Sequence, residues 1–159
     1  MSKKLLKNGY VLVSADDDIE KLDVLIENDE IEDLLLPENT EEIEEEDVEE
    51  YDLSGKLIIP GFINMHTHSA MSYFRGVADD SSFEEWLFKE MLPREDFLRS
   101  EMAYYGAVIS ILEMISSGIT TFVDMYMFTD EIAKAAYDLG MRAYISRGLS
   151  FDNEEGWNQ

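Results

Sequence analysis

The chain has 159 residues, 45% of them hydrophobic, enough for one domain with a sizeable core or one domain and part of another. Acids outnumber bases 36 to 12, a net charge of −24, which sets aside nucleic acid and anionic membrane as partners. There is no cysteine, so disulfides and thiolate metal sites are excluded, and no apolar run approaches the roughly 20 residues of a membrane span.

The first residues are basic, but Lys7-Asn8-Gly9 interrupts the apolar stretch at once. That does not read as a signal peptide, and a cytoplasmic location fits. Tyr10-Val11-Leu12-Val13 and Asp23-Val24-Leu25-Ile26 are β-rich, and Asn28-Asp29 before Ile31 reads as a hairpin turn. Leu34-Leu35-Leu36 then stops at Pro37. These pieces predict a small antiparallel sheet over residues 1–56. Between Asp16 and Asp52 the only base is Lys21, and the run Glu41-Glu42-Ile43-Glu44-Glu45-Glu46-Asp47 predicts a solvated loop or strand face.

From Leu57 the pattern changes. Leu57 to Asn64 is a mostly apolar run that predicts a buried strand leading into Met65-His66-Thr67-His68. Ser81 and Ser82 each precede a glutamate by three residues, a doubled capping signal for a helix that stops at Pro93. Ser100 is placed to cap a second helix, Glu101 to Ser117, with Met102, Tyr105, Ile109, Leu112 and Ile115 at helical spacing and Gly118 at its end. Ile119 to Tyr126 predicts a strand, Thr129 caps a third helix that ends at Gly140, and Met141 to Leu149 is again strand-like. Strands alternating with helices mean parallel strands joined by right-handed crossovers. An open doubly wound sheet and a (β/α) barrel both fit this order.

His66 and His68 are the only histidines, two apart at the end of a predicted strand. Alternate residues share a strand face, so both imidazoles are expected to project one way, with Asn64 below them. Imidazole nitrogen is a standard zinc ligand. A bare His-x-His also fits a hydrogen-bonded pair at a strand end. Asp124, at the end of the second strand, reads as a hydrogen-bonding residue rather than a ligand.

The run Pro60-Gly61-Phe62-Ile63-Asn64-Met65-His66-Thr67-His68 resembles the first barrel strand of the amidohydrolase superfamily. Met71, Arg75-Gly76-Val77-Ala78-Asp79-Asp80, Phe83-Glu84-Glu85-Trp86-Leu87, Leu92-Pro93 and Glu95 continue it, and are similar to the 5-methylthioadenosine/S-adenosylhomocysteine deaminases. The resemblance implies an α/β fold, the N-terminal part of a (β/α)8 TIM-type metal-dependent hydrolase barrel over residues 57–159. Strands of a small β-sandwich domain, residues 1–56, would precede it. It implies one divalent metal, most often zinc, held by His66 and His68, and hydrolytic deamination of an aminopurine nucleoside to the inosine analogue and ammonia. Glu95 would then accept hydrogen bonds from both ribose hydroxyls, Arg147 would recognise the substrate tail, and Trp86 would lie beside the nucleoside.

The partner implied is thus a small nucleoside; a homo-oligomer is left open. The related readings are a chlorohydrolase, another ring deaminase, or an inactive half-barrel that needs a second chain. The remaining ligands and the proton-transferring groups of the family come from later strands. A catalytic zinc typically takes three protein ligands and this chain offers two histidines. The chain is therefore expected to be the N-terminal part of a longer enzyme, inactive by itself, with exposed strand edges that favour association.

Overall fold

The computed structural model describes residues 3–42 and 48–147, which fall into two compact units, Met1–Pro60 and Gly61–Gln159. Most of the acidic run, the end of the strand expected to reach Leu149, and the tail from Phe151 lie outside the described residues.

The first unit holds two sheets. One has the order β5-β4-β1-β6, from β1 (Lys3–Lys7), β4 (Asp23–Glu27), β5 (Glu30–Leu35) and β6 (Val48–Asp52); the other has the order β3-β2-β7, from β2 (Tyr10–Val11), β3 (Glu20–Lys21) and β7 (Leu57–Ile58). The expected hairpin is present: Asn28 takes φ +57° in the two-residue turn between β4 and β5. The sheets are mixed, however, and not purely antiparallel. β6 runs parallel to β1 and β7 parallel to β2, because the chain returns beside its own N-terminal strands. Leu5, Val11, Leu22, Val24 and Leu25 are buried. Buried among them, Asp23 accepts hydrogen bonds from the Asn8 amide and the Thr40 hydroxyl, each at 2.7 Å, and so loses its water without losing its partners.

The apolar run from Leu57 does not form one strand. It breaks at Pro60-Gly61, so that Leu57–Ile58 belongs to the first unit and β8 (Phe62–Thr67) to the second. β8, β9 (Ile119–Tyr126) and β10 (Arg142–Arg147) form a parallel sheet in chain order. Two helices, α2 (Ser100–Ser116) and α3 (Thr129–Asp138), make the crossovers and pack on one face, closing a core that contains Ile111, Phe122, Ile132 and Ala135. The other face carries Ile63, Met65 and Tyr144, which are exposed, so β8 is not the doubly buried strand that its composition suggested. Among the described residues no helix is long and apolar enough to cross a membrane.

The helix after Ser82 does not stop at Pro93. Ser82 caps it as expected, its hydroxyl accepting the Glu85 amide. The chain then winds as a π-helix over Glu85–Met91 and continues into α1 (Leu92–Glu95). Pro93 is accommodated because it opens a new α-turn, where its missing N–H is not needed. Ser100 and Thr129 are first residues of their helices rather than caps; the Ser100 hydroxyl instead bonds Glu131. Gly118 ends α2 as predicted, at φ +77°.

The buried stripe of α2 is Ala103, Gly106, Ala107, Ile111 and Met114, one step round from the expected stripe. Tyr105, Ile109, Leu112 and Ile115 face outward. Small residues win the inner face because α2 lies close against the 3₁₀ turn Ser69–Phe74 that follows His68. A Cβ on Gly106 would sit 2.6 Å from the Ala70 carbonyl oxygen, a backbone atom that cannot swing away. Gly106→Ala is therefore expected to cost about 1–3 kcal/mol in urea denaturation, from overpacking alone. Gly9→Ala is the comparison for removing a glycine whose backbone is not left-handed, since the nearest atom to its Cβ would be Leu53 Cβ at an ordinary 3.4 Å.

Candidate metal centre

Three steps along β8, from Asn64 to Thr67, match two steps along β9, from Phe122 to Asp124. The extra residue is a β-bulge, and it changes which face each side chain takes. Asn64 and Thr67 turn to the helix side, into a recess with Ser110, Glu113 and Met114 of α2; Asn64 Nδ2 lies 3.7 Å from Met114 Sδ. His66 and His68 turn to the other side. The expectation that Asn64 lies below the histidines on one face is corrected by this bulge. The Asn64 carboxamide still serves them, since its Oδ1 accepts the His66 amide at 3.2 Å.

The two imidazoles meet edge to face, with Nε2 atoms 3.3 Å apart. His68 Nδ1 is 2.6 Å from the Met125 carbonyl oxygen. A carbonyl only accepts, so Nδ1 carries the proton and Nε2 of the neutral ring is left with its lone pair. Two nitrogens at about 2.0–2.1 Å from a tetrahedral zinc stand roughly 3.3–3.4 Å apart. The pair fits a metal by its spacing, and His68 fits it by its tautomer as well. Among the described residues, no group of three or more His, Asp or Glu gathers around one point.

The turn after His68 is pinned from two sides. Asp124 Oδ2 accepts the Ser69 amide at 2.8 Å, Ser110 Oγ donates to the Ser69 carbonyl at 2.9 Å, and Ser72 Oγ donates to the Gly106 carbonyl at 2.7 Å. Asp124 is wholly buried and is occupied by this backbone contact. Burial pushes its carboxyl above the usual aspartate value, against the opposing pull of Ser69 and of His68. Its Oδ1 and the Ser69 hydroxyl are both buried without a hydrogen-bond partner.

All five residues singled out in the sequence line one cleft of about 780 Å³: His66, His68, Trp86, Glu95 and Arg147, with Met71, Phe83, Leu87, Met125, Tyr126 and Met127. Its walls are mostly apolar and its polar groups few, the usual make-up of a small-molecule site. Trp86 reaches it from the π-helix, its ring 6.1 Å from that of Phe83, and Glu95 from the last turn of α1. Glu95 Oε1 accepts a hydrogen bond from the Tyr126 hydroxyl at 2.6 Å.

Tyr126 went unread in the sequence. Its position at the end of β9 was the available signal, since chemistry gathers at the carboxyl ends of parallel strands. Burial, and then the Glu95 carboxylate, hold its phenol well above the usual range, so it stays a donor.

A model of the amidohydrolase family matches residues 57–155. The 5-methylthioadenosine/S-adenosylhomocysteine deaminase of Thermotoga maritima is 55% identical over 102 residues, 64% of this chain and 25% of that protein. The 5′-deoxyadenosine deaminase of Methanosarcina mazei is 42% identical over 161 residues, all of this chain and 35% of that protein. The chain thus spans about a quarter to a third of the length of the curated relatives it matches. Among solved structures, a zinc-bound adenosine deaminase from Xanthomonas campestris aligns with a TM-score of 0.73 and 26% identity, over 89% of this chain and 33% of that one.

The pinning of Ser69 can be tested directly. Asp124→Ala orphans a buried amide and is expected to cost about 1–3 kcal/mol in urea denaturation, with Asp124→Asn, which keeps an acceptor, costing less. A raised folded-state pKa means that the carboxyl's contribution is full below its unfolded value and is lost as pH rises through the folded one. Wild type should therefore lose stability relative to Asp124→Asn as pH climbs out of the acidic carboxylate range, measured on metal-free protein.

Proposed function

The chain belongs to the amidohydrolase family, and from that premise we propose that it forms the N-terminal part of a metal-dependent deaminase of aminopurine nucleosides. The observation that carries this reading is the His66–His68 pair, with Nε2 atoms at ligand spacing and the His68 proton held on Nδ1, opening on the same cleft as Glu95. In this reading β8, β9 and β10 are the first three strands of a (β/α)8 barrel that begins after Pro60. The exposed face with Ile63, Met65 and Tyr144 is its interior, and the residues up to Pro60 belong to a small β-sandwich domain that precedes it. Chain-order pairing of three strands fits a barrel and equally the first half of a doubly wound sheet, so the barrel reading rests on the family.

His66 and His68 would hold one divalent ion, with zinc the leading choice for imidazole ligands. When bound, such an ion makes water available as a nucleophile near neutral pH. Further ligands and the group that protonates the purine come from outside the described residues. Within this chain, Met125 fixes the His68 tautomer through its carbonyl, and Asp124 and Ser110 hold the turn behind it. Trp86, Met71 and Leu87 offer apolar surface against which a purine ring can lie and from which water is displaced. Glu95 suits a vicinal diol, having two acceptor oxygens. Arg147 lines the same cleft and presents a planar fork for an anionic or polar 5′ substituent. The relatives' substrates, 5-methylthioadenosine, S-adenosylhomocysteine and 5′-deoxyadenosine, share the adenine and the ribose diol and differ at the 5′ position.

The test is ammonia release from each of these three nucleosides by the full protein, with metal content measured alongside. Bound zinc near one equivalent and turnover of at least one of the three are expected. His66→Ala and His68→Ala should each lose metal and fall roughly 10³-fold or more in kcat/KM, because a metal supplies several kcal/mol of transition-state stabilisation. Unchanged activity in either variant would overturn the reading.

A further inference from the structure

We propose that Tyr126 is a positioning residue for substrate selection: its hydroxyl holds the Glu95 carboxylate so that the site favours a nucleoside with an intact vicinal diol. This inference rests on the deaminase reading and adds a residue and a discrimination to it.

The geometry is specific. Glu95 is the last residue of α1, at the end of the helix that runs on from the π-helical segment and just before the chain leaves it. Tyr126 is the last residue of β9, paired in register with Arg147 of β10, and is buried against the core. The 2.6 Å bond from the phenol to Glu95 Oε1 therefore ties a side chain at a helix end to the sheet. The phenol donates here, because a carboxylate only accepts.

Tyr126 also faces the histidine pair. Its ring lies 5.9 Å from that of His68, tilted by 39°. One side chain thus touches the metal-ligand histidine with its ring and the diol-binding carboxylate with its hydroxyl. It sets the spacing between the place where a purine would react and the place where its sugar would be gripped. A carboxylate offers about four lone-pair sites, so one bond to Tyr126 leaves room for both hydroxyls of a diol. It also fixes the plane in which they must approach. A freely rotating carboxylate would have to be ordered by each substrate as it bound, at a cost in affinity.

The experiment compares wild-type full protein with Tyr126→Phe, using whichever adenine ribonucleoside it deaminates and the matching 2′-deoxy and 3′-deoxy analogues. Tyr126→Phe should raise KM for the ribonucleoside about tenfold, leave kcat within about twofold, and leave both deoxy analogues nearly unchanged. In a Glu95→Ala background, which removes the acceptor, adding Tyr126→Phe should have no further effect on KM. Tyr126→His keeps a donor on an aromatic ring and should restore part of the lost preference, which also guards against a folding defect peculiar to one replacement.

Equal losses on the ribonucleoside and the deoxy analogues would overturn the inference, as would a loss confined to kcat or effects that add in the Glu95→Ala background. If the wild-type protein deaminates no adenine nucleoside, the deaminase reading fails and takes this inference with it. If it does so and Tyr126→Phe keeps the full preference for the diol, only the inference fails.

Discussion

The extra residue in β8 between Asn64 and Thr67 decides what the end of this strand can do. In a regular strand every second side chain shares a face, and His66 would follow Asn64 toward α2. The bulge breaks that parity, leaving Asn64 and Thr67 against the helix and sending both imidazoles to the open face of the sheet. A bulge is an unstable place to hang a ligand unless its surroundings are fixed. Here Met125 of β9 holds the His68 ring, while Asp124 and Ser110 hold the backbone immediately after it. The close approach of α2 at Gly106 keeps that turn pressed on the sheet.

The rest of the cleft is arranged around the pair. The π-helix over Glu85–Met91 adds residues to the turn, so Trp86 and Glu95, nine residues apart, both reach the cleft. In an uninterrupted α-helix, nine residues at about 100° each would leave them on opposite sides. π-turns of this kind recur at functional sites because they re-aim side chains without breaking the helix. The apolar wall, the carboxylate and the cation then lie where a flat, partly polar molecule could meet the histidines. The relatives from Thermotoga maritima and Methanosarcina mazei are named for deamination of molecules of that kind.

Much of the element order could be read from residues alone. β9 spans Ile119–Tyr126 as its β-branched and aromatic run indicates, Gly118 ends α2, and Asn28 makes the hairpin turn. The His-x-His at a strand end, with its neighbouring motifs, pointed to the cleft, and the five chosen residues do share it. What escaped depended on tertiary contacts. No glycine or proline marks the bulge between Asn64 and Thr67, so period-two reasoning ran straight through it. Proline at 93 signals a helix end unless the helix has already changed register, which only five-residue spacing such as Leu92 N–H to Leu87 reveals. α2 is apolar on several faces, and close packing rather than hydrophobicity chose the one that holds Ala103, Gly106 and Ala107. The Tyr126–Glu95 bond joins residues 31 apart, a pairing that no local pattern encodes.

X-ray absorption at the zinc edge, on zinc-loaded full protein and on its His66→Ala/His68→Ala double variant, probes the histidine pair most directly. Imidazole scattering with nitrogens at about 2.0–2.1 Å is expected in the wild type, losing the contribution of two rings in the double variant. A spectrum without imidazole scattering, or one identical in the two proteins, would contradict the assignment of His66 and His68 as metal ligands and leave them a hydrogen-bonded pair at the end of a strand.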